Sequence, residues 1–109
     1  MRQSFELIKI GLSAISHLRP IVSRIARHDP RLAEQLRKAL TAAPLLAAEG
    51  NRARKNNRTA KLQAVGAEAA EADTALQVAI AWGYVELTEL SKGLDALDHF
   101  QAVVRKLVR

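Results

Sequence analysis

The stretch AAEGNRARKNNRTAK, residues 47–61, separates two long apolar patterns and holds the densest basic cluster of the chain. An apolar helical pattern runs into it and is predicted to stop at Gly50, because only glycine enters the left-handed region without steric cost. Asn56 and Asn57 suit a turn or the N-cap of a following helix. Five basic residues and no acidic residue follow within residues 51–61: Arg52, Arg54, Lys55, Arg58 and Lys61. The stretch is therefore predicted to be a short basic connection between two helices, which either holds phosphates or is only a solvated loop.

The composition predicts a single all-helical domain over residues 1–109. The chain is rich in alanine and only 4% aromatic, which favours close-packed helices, and its Val and Ile residues do not alternate as in strands. The absence of cysteine excludes disulfides and Cys-ligated zinc. No apolar run approaches the roughly 20 residues of a membrane span, and the N-terminal MRQSFELIKIG lacks the apolar core of a signal peptide. We therefore expect a cytoplasmic protein.

The net charge of +6 is unevenly distributed along the chain. Residues 1–61 carry 13 basic and 4 acidic side chains, residues 62–100 carry 1 basic and 7 acidic, and residues 101–109 carry 3 basic and none acidic. A surface formed by the basic segments would attract RNA or DNA. Alternatively, the charges serve solubility and pairing between helices.

Apolar periodicity predicts four helices, over residues 4–28, 30–49, 58–82 and 86–107, arranged as an up-down-up-down bundle. Asp29 and Pro30 mark the start of the second helix, and Gly83 marks the end of the third. Pro20 and Pro44 fall inside helices and predict kinks. Four leucines are predicted to lie in the core, namely Leu36, Leu76, Leu90 and Leu97. The heptad spacing of the fourth helix also places Leu87 in the predicted core. In the alanine-rich third helix, Gly66 suggests close contact with a neighbouring helix.

The first helix has a wider apolar face than a single bundle core needs. One row comprises Leu7, Ile10, Ala14, Leu18, Ile21 and Ile25, and beside it lies a second row of Phe5, Ile8, Leu12, Ile15 and Val22. So wide a stripe would be unusual on a monomer. We therefore expect a homo-oligomer.

No catalytic or metal-binding motif stands out in the sequence. Asp95 and His99 share a helix face next to Asp98, but we interpret them as an exposed polar edge rather than a metal site. Trp82 and Tyr84 could stack on bases, although aromatic residues at a helix end more often close the core, and we favour that interpretation. We expect neither an enzyme nor a cofactor.

Two segments resemble a known family: QLRKALTAAPLLAAEG, residues 35–50, and LQAVGAEAAEADTALQVAIAWGY, residues 62–84. They are similar to the bacterial four-helix-bundle proteins first noted as open reading frames in intervening sequences of 23S ribosomal RNA. The family pattern is approximately Q-x-R-R-A, Pro and A-E-G, followed by L-x-x-A-x-G-S-x-x-E-x-x-x-x-L and L-G-Y. The matching positions are Gln35, Arg37 or Lys38, Ala39, Pro44, Ala48, Glu49, Gly50, Leu62, Glu71, Leu76, Gly83 and Tyr84. The sequence departs from the pattern at Ala67 and Glu68, where the family has Gly-Ser, and at Ala42 and Leu46, where it usually has Ser and Asn.

The same family is similar to the accessory variability determinant of diversity-generating retroelements, a basic pentameric barrel that binds a reverse transcriptase and its RNA. The resemblance implies a four-helix subunit of a ring-like homopentamer, with a reverse transcriptase and RNA or DNA as partners. The predicted nucleic-acid-binding residues are the basic cluster after Gly50 together with Arg37 and Lys38. Arg105, Lys106 and Arg109 would widen this surface if the helix ends meet. The alternative is a structural homo-oligomer with no nucleic-acid role.

Overall fold

The computed structural model describes residues 2–52 and 55–108, with side chains described for residues 5–50, 52 and 57–108. These residues form four helices and no strand: α1 (Arg2–His28), α2 (Pro30–Arg52), α3 (Lys55–Trp82) and α4 (Leu87–Val108). Each helix packs against its neighbour in sequence, and α4 returns to pack against α1. The all-helical class and the four-helix arrangement predicted from the sequence are confirmed.

Local signals account for the boundaries between α1 and α2 and between α3 and α4. The Leu32 amide donates a hydrogen bond to Asp29 Oδ1 at 3.1 Å, so Asp29 caps α2 as predicted. Gly83 has a φ of 81°, and the Tyr84 amide donates to the Ala79 carbonyl at 3.0 Å, which together form the glycine cap that ends α3. At the start of α4, the Glu86 amide donates to Glu89 Oε1 at 3.0 Å.

The prediction that α2 ends at Gly50 is wrong, because the helix continues through Gly50 to Arg52. Gly50 is buried, and a Cβ placed there would lie 3.4 Å from the Cβ of Lys61 on α3. That distance is an ordinary van der Waals contact, so Gly50 lies inside the helix and neither ends α2 nor is required by the packing of α3. Asn56 and Asn57 likewise lie inside α3 and not in a turn. The predicted basic loop is therefore largely helical.

Both internal prolines are accommodated within single helices, since α1 continues across Pro20 and α2 across Pro44. Pro20 is exposed, whereas Pro44 is buried against α1. A Cβ at Gly11 would lie 3.1 Å from Pro44 Cβ and 3.3 Å from the ring of Phe100. Gly11 therefore allows α1 and α2 to cross at close range. The ring of Pro44 occupies the space that a side chain at position 11 would need.

The core consists of two apolar regions stacked along the bundle. One contains Leu18, Leu36, Leu76 and Leu90. The other contains Leu7, Ala47, Leu62, Phe100 and Val104. The four leucines predicted to lie in the core are each no more than 2% exposed, so that prediction is confirmed. The inner row of α1 is also buried throughout, from Leu7 to Ile25.

Two predictions at the α3–α4 end are wrong. Leu87 is 58% exposed because Val85 and Leu90, both buried, already close the core there. Of the two aromatic residues predicted to close the core, Trp82 is 70% exposed and does not close it, whereas Tyr84 is half-buried and packs against it. The ring of Trp82 stacks on Tyr84 at a centroid distance of 6.3 Å, and Tyr84 in turn stacks on His28 at 5.0 Å. The three rings form a ladder on the surface.

Candidate nucleic-acid interface

The helix order brings the start of α1, the end of α2, the start of α3 and the end of α4 to one end of the bundle. A single buried cluster joins all four there, with Leu7 from α1, Ala47 from α2, Leu62 from α3 and Val104 from α4. Leu107 and Val108 pack against the same cluster. The helix ends therefore meet. This was the condition for the C-terminal basic residues to join the predicted surface.

The side chains gathered at this end are predominantly basic. We call the described ones the basic end: Arg52, Arg58, Lys61, Arg105 and Lys106. Arg52, Arg105 and Lys106 are exposed. Of the other predicted residues, Arg54 and Arg109 lie outside the described residues, and so does the side chain of Lys55. The sequence has no Asp or Glu in residues 50–61 or 99–109.

Lys61 is paired with an acidic residue, although the basic cluster was predicted to have no acidic partner. Its Nζ donates to Glu49 Oε1 at 2.9 Å, which ties α3 to the last turns of α2. Because both side chains are partly exposed, the pair contributes little to stability. Its main consequence is electrostatic, since one of the five predicted cations is already neutralised within the chain. The partner lies twelve positions away on another helix, so local sequence did not indicate it.

Arg58 has a different environment from the other basic residues. It lies in the first turn of α3, four positions before Leu62 and seven before Val65, so that it continues the buried row of that helix. Its side chain is half-buried, and its Nε and Nη2 atoms are fully buried. Neither nitrogen has a hydrogen-bond partner among the residues that the structure describes. The guanidinium thus retains unused donors at the edge of the core.

Arg37 and Lys38 do not extend the basic end. They precede Arg52 by 15 and 14 positions on α2, which separates them by roughly 20 Å along the helix axis. Both are exposed. Arg37 makes a two-pronged contact with Glu34, at 3.1 and 3.2 Å. This hydrogen bond lowers the pKa of Glu34 and raises the pKa of Arg37.

A second surface, which we call the α1–α2 face, carries the exposed members of the outer apolar row of α1, since Ile8, Ile15 and Val22 of that row are partly buried against the core. Phe5 and Leu12 are 56% and 53% exposed, and Leu45 on α2 is 59% exposed. Leu12 and Leu45 each follow a residue of the Gly11–Pro44 crossing, so both lie beside it. A groove of about 320 Å³ continues the face between the two helices, lined by Ile15, Arg19, Val22, Ser23, Arg37, Leu40 and Thr41. Sequence periodicity indicated the α1 row but not Leu45 or the groove, which depend on how α2 packs.

The predicted polar edge of α4 forms one wall of a shallow depression against α1. Asp95 and His99 line it with Lys9 and Ser13, and all four side chains are exposed. Within the described part of the chain, no three His, Asp or Glu side chains are placed to hold a metal ion together. None of the described helices has the length and apolar character needed to cross a membrane.

Comparisons with known proteins identify no relative of this chain, since no family model, no curated protein and no solved structure matches it.

Proposed function

We propose that this chain is a non-enzymatic, homo-oligomeric bundle protein that binds RNA or DNA through backbone phosphates, as an accessory of a reverse transcriptase. The observation that supports this most is the meeting of three helix ends, each carrying basic residues, at one end of the bundle. The acidic residues of the 62–100 segment lie mainly along α3 and α4, beyond that end. Exposed cations held on rigid helices suit phosphate contacts, which carry little sequence preference.

Self-association is the second part of the proposal, and the α1–α2 face supports it. Phe5, Leu12 and Leu45 leave three large apolar side chains in water on one side of the molecule. Covering them with another copy would remove this apolar area from solvent. In the homopentameric ring that we propose from the family resemblance, every subunit would add one basic end, and weak phosphate contacts would sum by avidity.

The test of nucleic-acid binding is a salt titration with a structured RNA. We expect the quadruple replacement of Arg52, Arg54, Lys55 and Arg58 by Gln to weaken binding and to flatten the salt dependence, because fewer phosphates are neutralised. The control replaces Arg27 and Arg31 by Gln, which removes two exposed cations at the opposite end of the bundle and outside the α1–α2 face. The proposal fails if wild type binds no tighter than about millimolar at low salt, or if the quadruple variant binds equally well at unchanged oligomer mass.

The reverse transcriptase is proposed from the family resemblance alone. Purified wild type should form a complex with a reverse transcriptase encoded beside its own gene, and RNA should strengthen that complex. A gene neighbourhood without a reverse transcriptase would remove this part of the proposal while leaving nucleic-acid binding open to its own test.

The alternative is a structural or protein-interaction homo-oligomer without a nucleic-acid role. The α1–α2 face favours this alternative as much as the first, because an apolar face requires only a protein partner. Light scattering together with the salt titration separates the two. An oligomer of unchanged mass that binds no RNA or DNA would support the alternative, whereas a mass near 12 kDa at micromolar concentration would contradict both.

A further inference from the structure

The α1–α2 face carries positive charge beside its exposed leucines. Arg19 lines the groove of the face, and Lys38 lies next to Leu45 along the outer side of α2. Both cations are exposed, and neither makes an ion pair among the described residues. Glu34, the acid beside the groove, is already held by Arg37. A surface that covers the leucines is therefore expected to bring a carboxylate to these cations.

This charge disfavours a two-fold pairing, in which the face would pack on the same face of a second copy. Each face would then meet an identical surface. Arg19 and Lys38 of one copy would approach the same cations of the other, while Glu34 remains engaged by Arg37. Like charges brought together in an interface oppose association. The partner surface is therefore expected on another side of the bundle.

A depression of about 270 Å³ between α2 and α3 has the properties that the α1–α2 face needs in a partner. We call it the α2–α3 depression, and its lining residues are Leu32, Gln35, Glu71, Thr74, Ala75 and Val78. Val78 is 37% exposed, so part of this apolar lining faces water. Glu71 is exposed and makes no ion pair among the described residues. Glu68 lies one turn before Glu71 on the same side of α3, and no basic residue occurs from Leu62 to Trp82. The depression thus combines an apolar lining with an available carboxylate.

We propose that the α1–α2 face of one copy packs on the α2–α3 depression of the next, with Leu45 inserted into the depression and Lys38 paired with Glu71 of that copy. This inference rests on the proposed function, because it specifies the surface that completes the proposed self-association. Each copy uses two different surfaces, so the contact is head-to-tail rather than two-fold. The two surfaces lie on neighbouring sides of the bundle that share α2. Successive copies therefore turn in one direction, which allows a ring to close.

The first test uses two variants that each disable one surface. Leu45→Lys removes the apolar side chain of the face, and Val78→Lys places a charge in the depression. We expect light scattering to give each variant alone a mass near the 11.9 kDa of a single chain, and an equimolar mixture to give twice that mass. The mixture regains one contact, between the intact face of Val78→Lys and the intact depression of Leu45→Lys, and it offers no site for a third copy.

The outcomes distinguish a failure of this inference from a failure of the proposed function. A Val78→Lys protein with the wild-type oligomer mass would show that the depression is not the partner surface, although self-association itself would stand. A Val78→Lys protein of reduced mass that does not pair with Leu45→Lys would also overturn the inference. A wild type with the mass of a single chain would contradict the proposed self-association as well.

The second test exchanges two exposed charges and leaves the core untouched. Lys38→Glu and Glu71→Lys should each raise the dissociation constant of the oligomer about fivefold, as for a solvated ion pair, because each places like charges at the contact. The double variant should return to within about twofold of wild type, since the pair is restored with reversed sign. The matched control combines Lys9→Glu with Glu71→Lys, because Lys9 is an exposed cation on the α1–α4 side and should restore nothing. Additive losses in the Lys38–Glu71 exchange, or equal recovery in the control, would overturn the proposed pairing.

Discussion

Replacing Gly93 by Ala tests how closely α1 and α4 pack. A Cβ at Gly93 would lie 2.5 Å from Leu18 Cγ and 3.1 Å from its Cδ1, and Leu18 is fully buried. Alanine would gain about 1 kcal/mol of helix propensity. However, the branching carbon of Leu18 stands in the way, so the leucine must leave its rotamer or the helices must separate. Such overpacking costs about 1–3 kcal/mol, which leaves a net destabilisation of up to about 2 kcal/mol.

The assay is thermal unfolding at matched protein concentration, because the Tm of an oligomer depends on concentration. We expect the Tm of Gly93→Ala to fall by about 4–8 °C for each kcal/mol lost. Gly66→Ala is the matched control. Only Val104 Cγ1 lies near a Cβ placed there, at 3.3 Å, so a small shift suffices and the gain in helix propensity should leave the Tm unchanged or higher. A Gly93→Ala protein as stable as wild type would refute the close α1–α4 packing.

Four further predictions concern the core, a helix cap, the α1–α2 face and the basic end. Truncating Leu76 to Ala should cost about 2–5 kcal/mol in urea unfolding, and a cost below about 0.5 kcal/mol, the range typical of surface sites, would show that α3 is wrongly oriented. Asp29→Ala should cost about 1 kcal/mol, because the Leu32 amide loses its acceptor, whereas Asp29→Asn should be nearly neutral. Leu12→Lys should lower the oligomer mass in light scattering without reducing helicity, and an unchanged mass would exclude this face from the interface. Glu49→Gln should tighten RNA binding and steepen its salt dependence, because it frees Lys61; unchanged binding would place Lys61 outside the interface.

The sequence predicted the core and most helix boundaries because these depend on local signals. Apolar spacing identified the buried row of α1, the Asp29 cap follows from a single side chain, and Gly83 ends α3 with the expected positive φ. The same reasoning gave a wrong prediction at Gly50, where α2 was predicted to end. A glycine that ends a helix and a glycine inside a helix look alike in sequence, and only the structure shows that α2 continues through Gly50 to Arg52.

The candidate site was predicted less completely, because ion pairs and burial depend on contacts between helices. The pairing of Lys61 with Glu49 joins two helices whose mutual register the sequence does not specify. The burial of Arg58 could have been predicted from the sequence, because Arg58 continues the buried row of Leu62 and Val65. It was missed because the helix was predicted to start at Arg58, whereas α3 starts at Lys55. The distance of Arg37 from the basic end was likewise accessible from helix length, once α2 is known to run to Arg52.

The α1–α2 face and the basic end point in different directions on the bundle. Self-association through the face can therefore occur together with phosphate binding at the basic end. The α1–α2 face runs along the side of two helices, from Phe5 near the basic end to the groove, whereas the basic end lies where helices terminate. A second copy packed on the side would bury Leu12 and Leu45 and leave Arg52 and Arg105 in solvent. Self-association and phosphate binding are therefore compatible in one molecule. In a closed ring related by rotation, all basic ends would lie on the same side, which is the arrangement that a continuous polyanion can bridge.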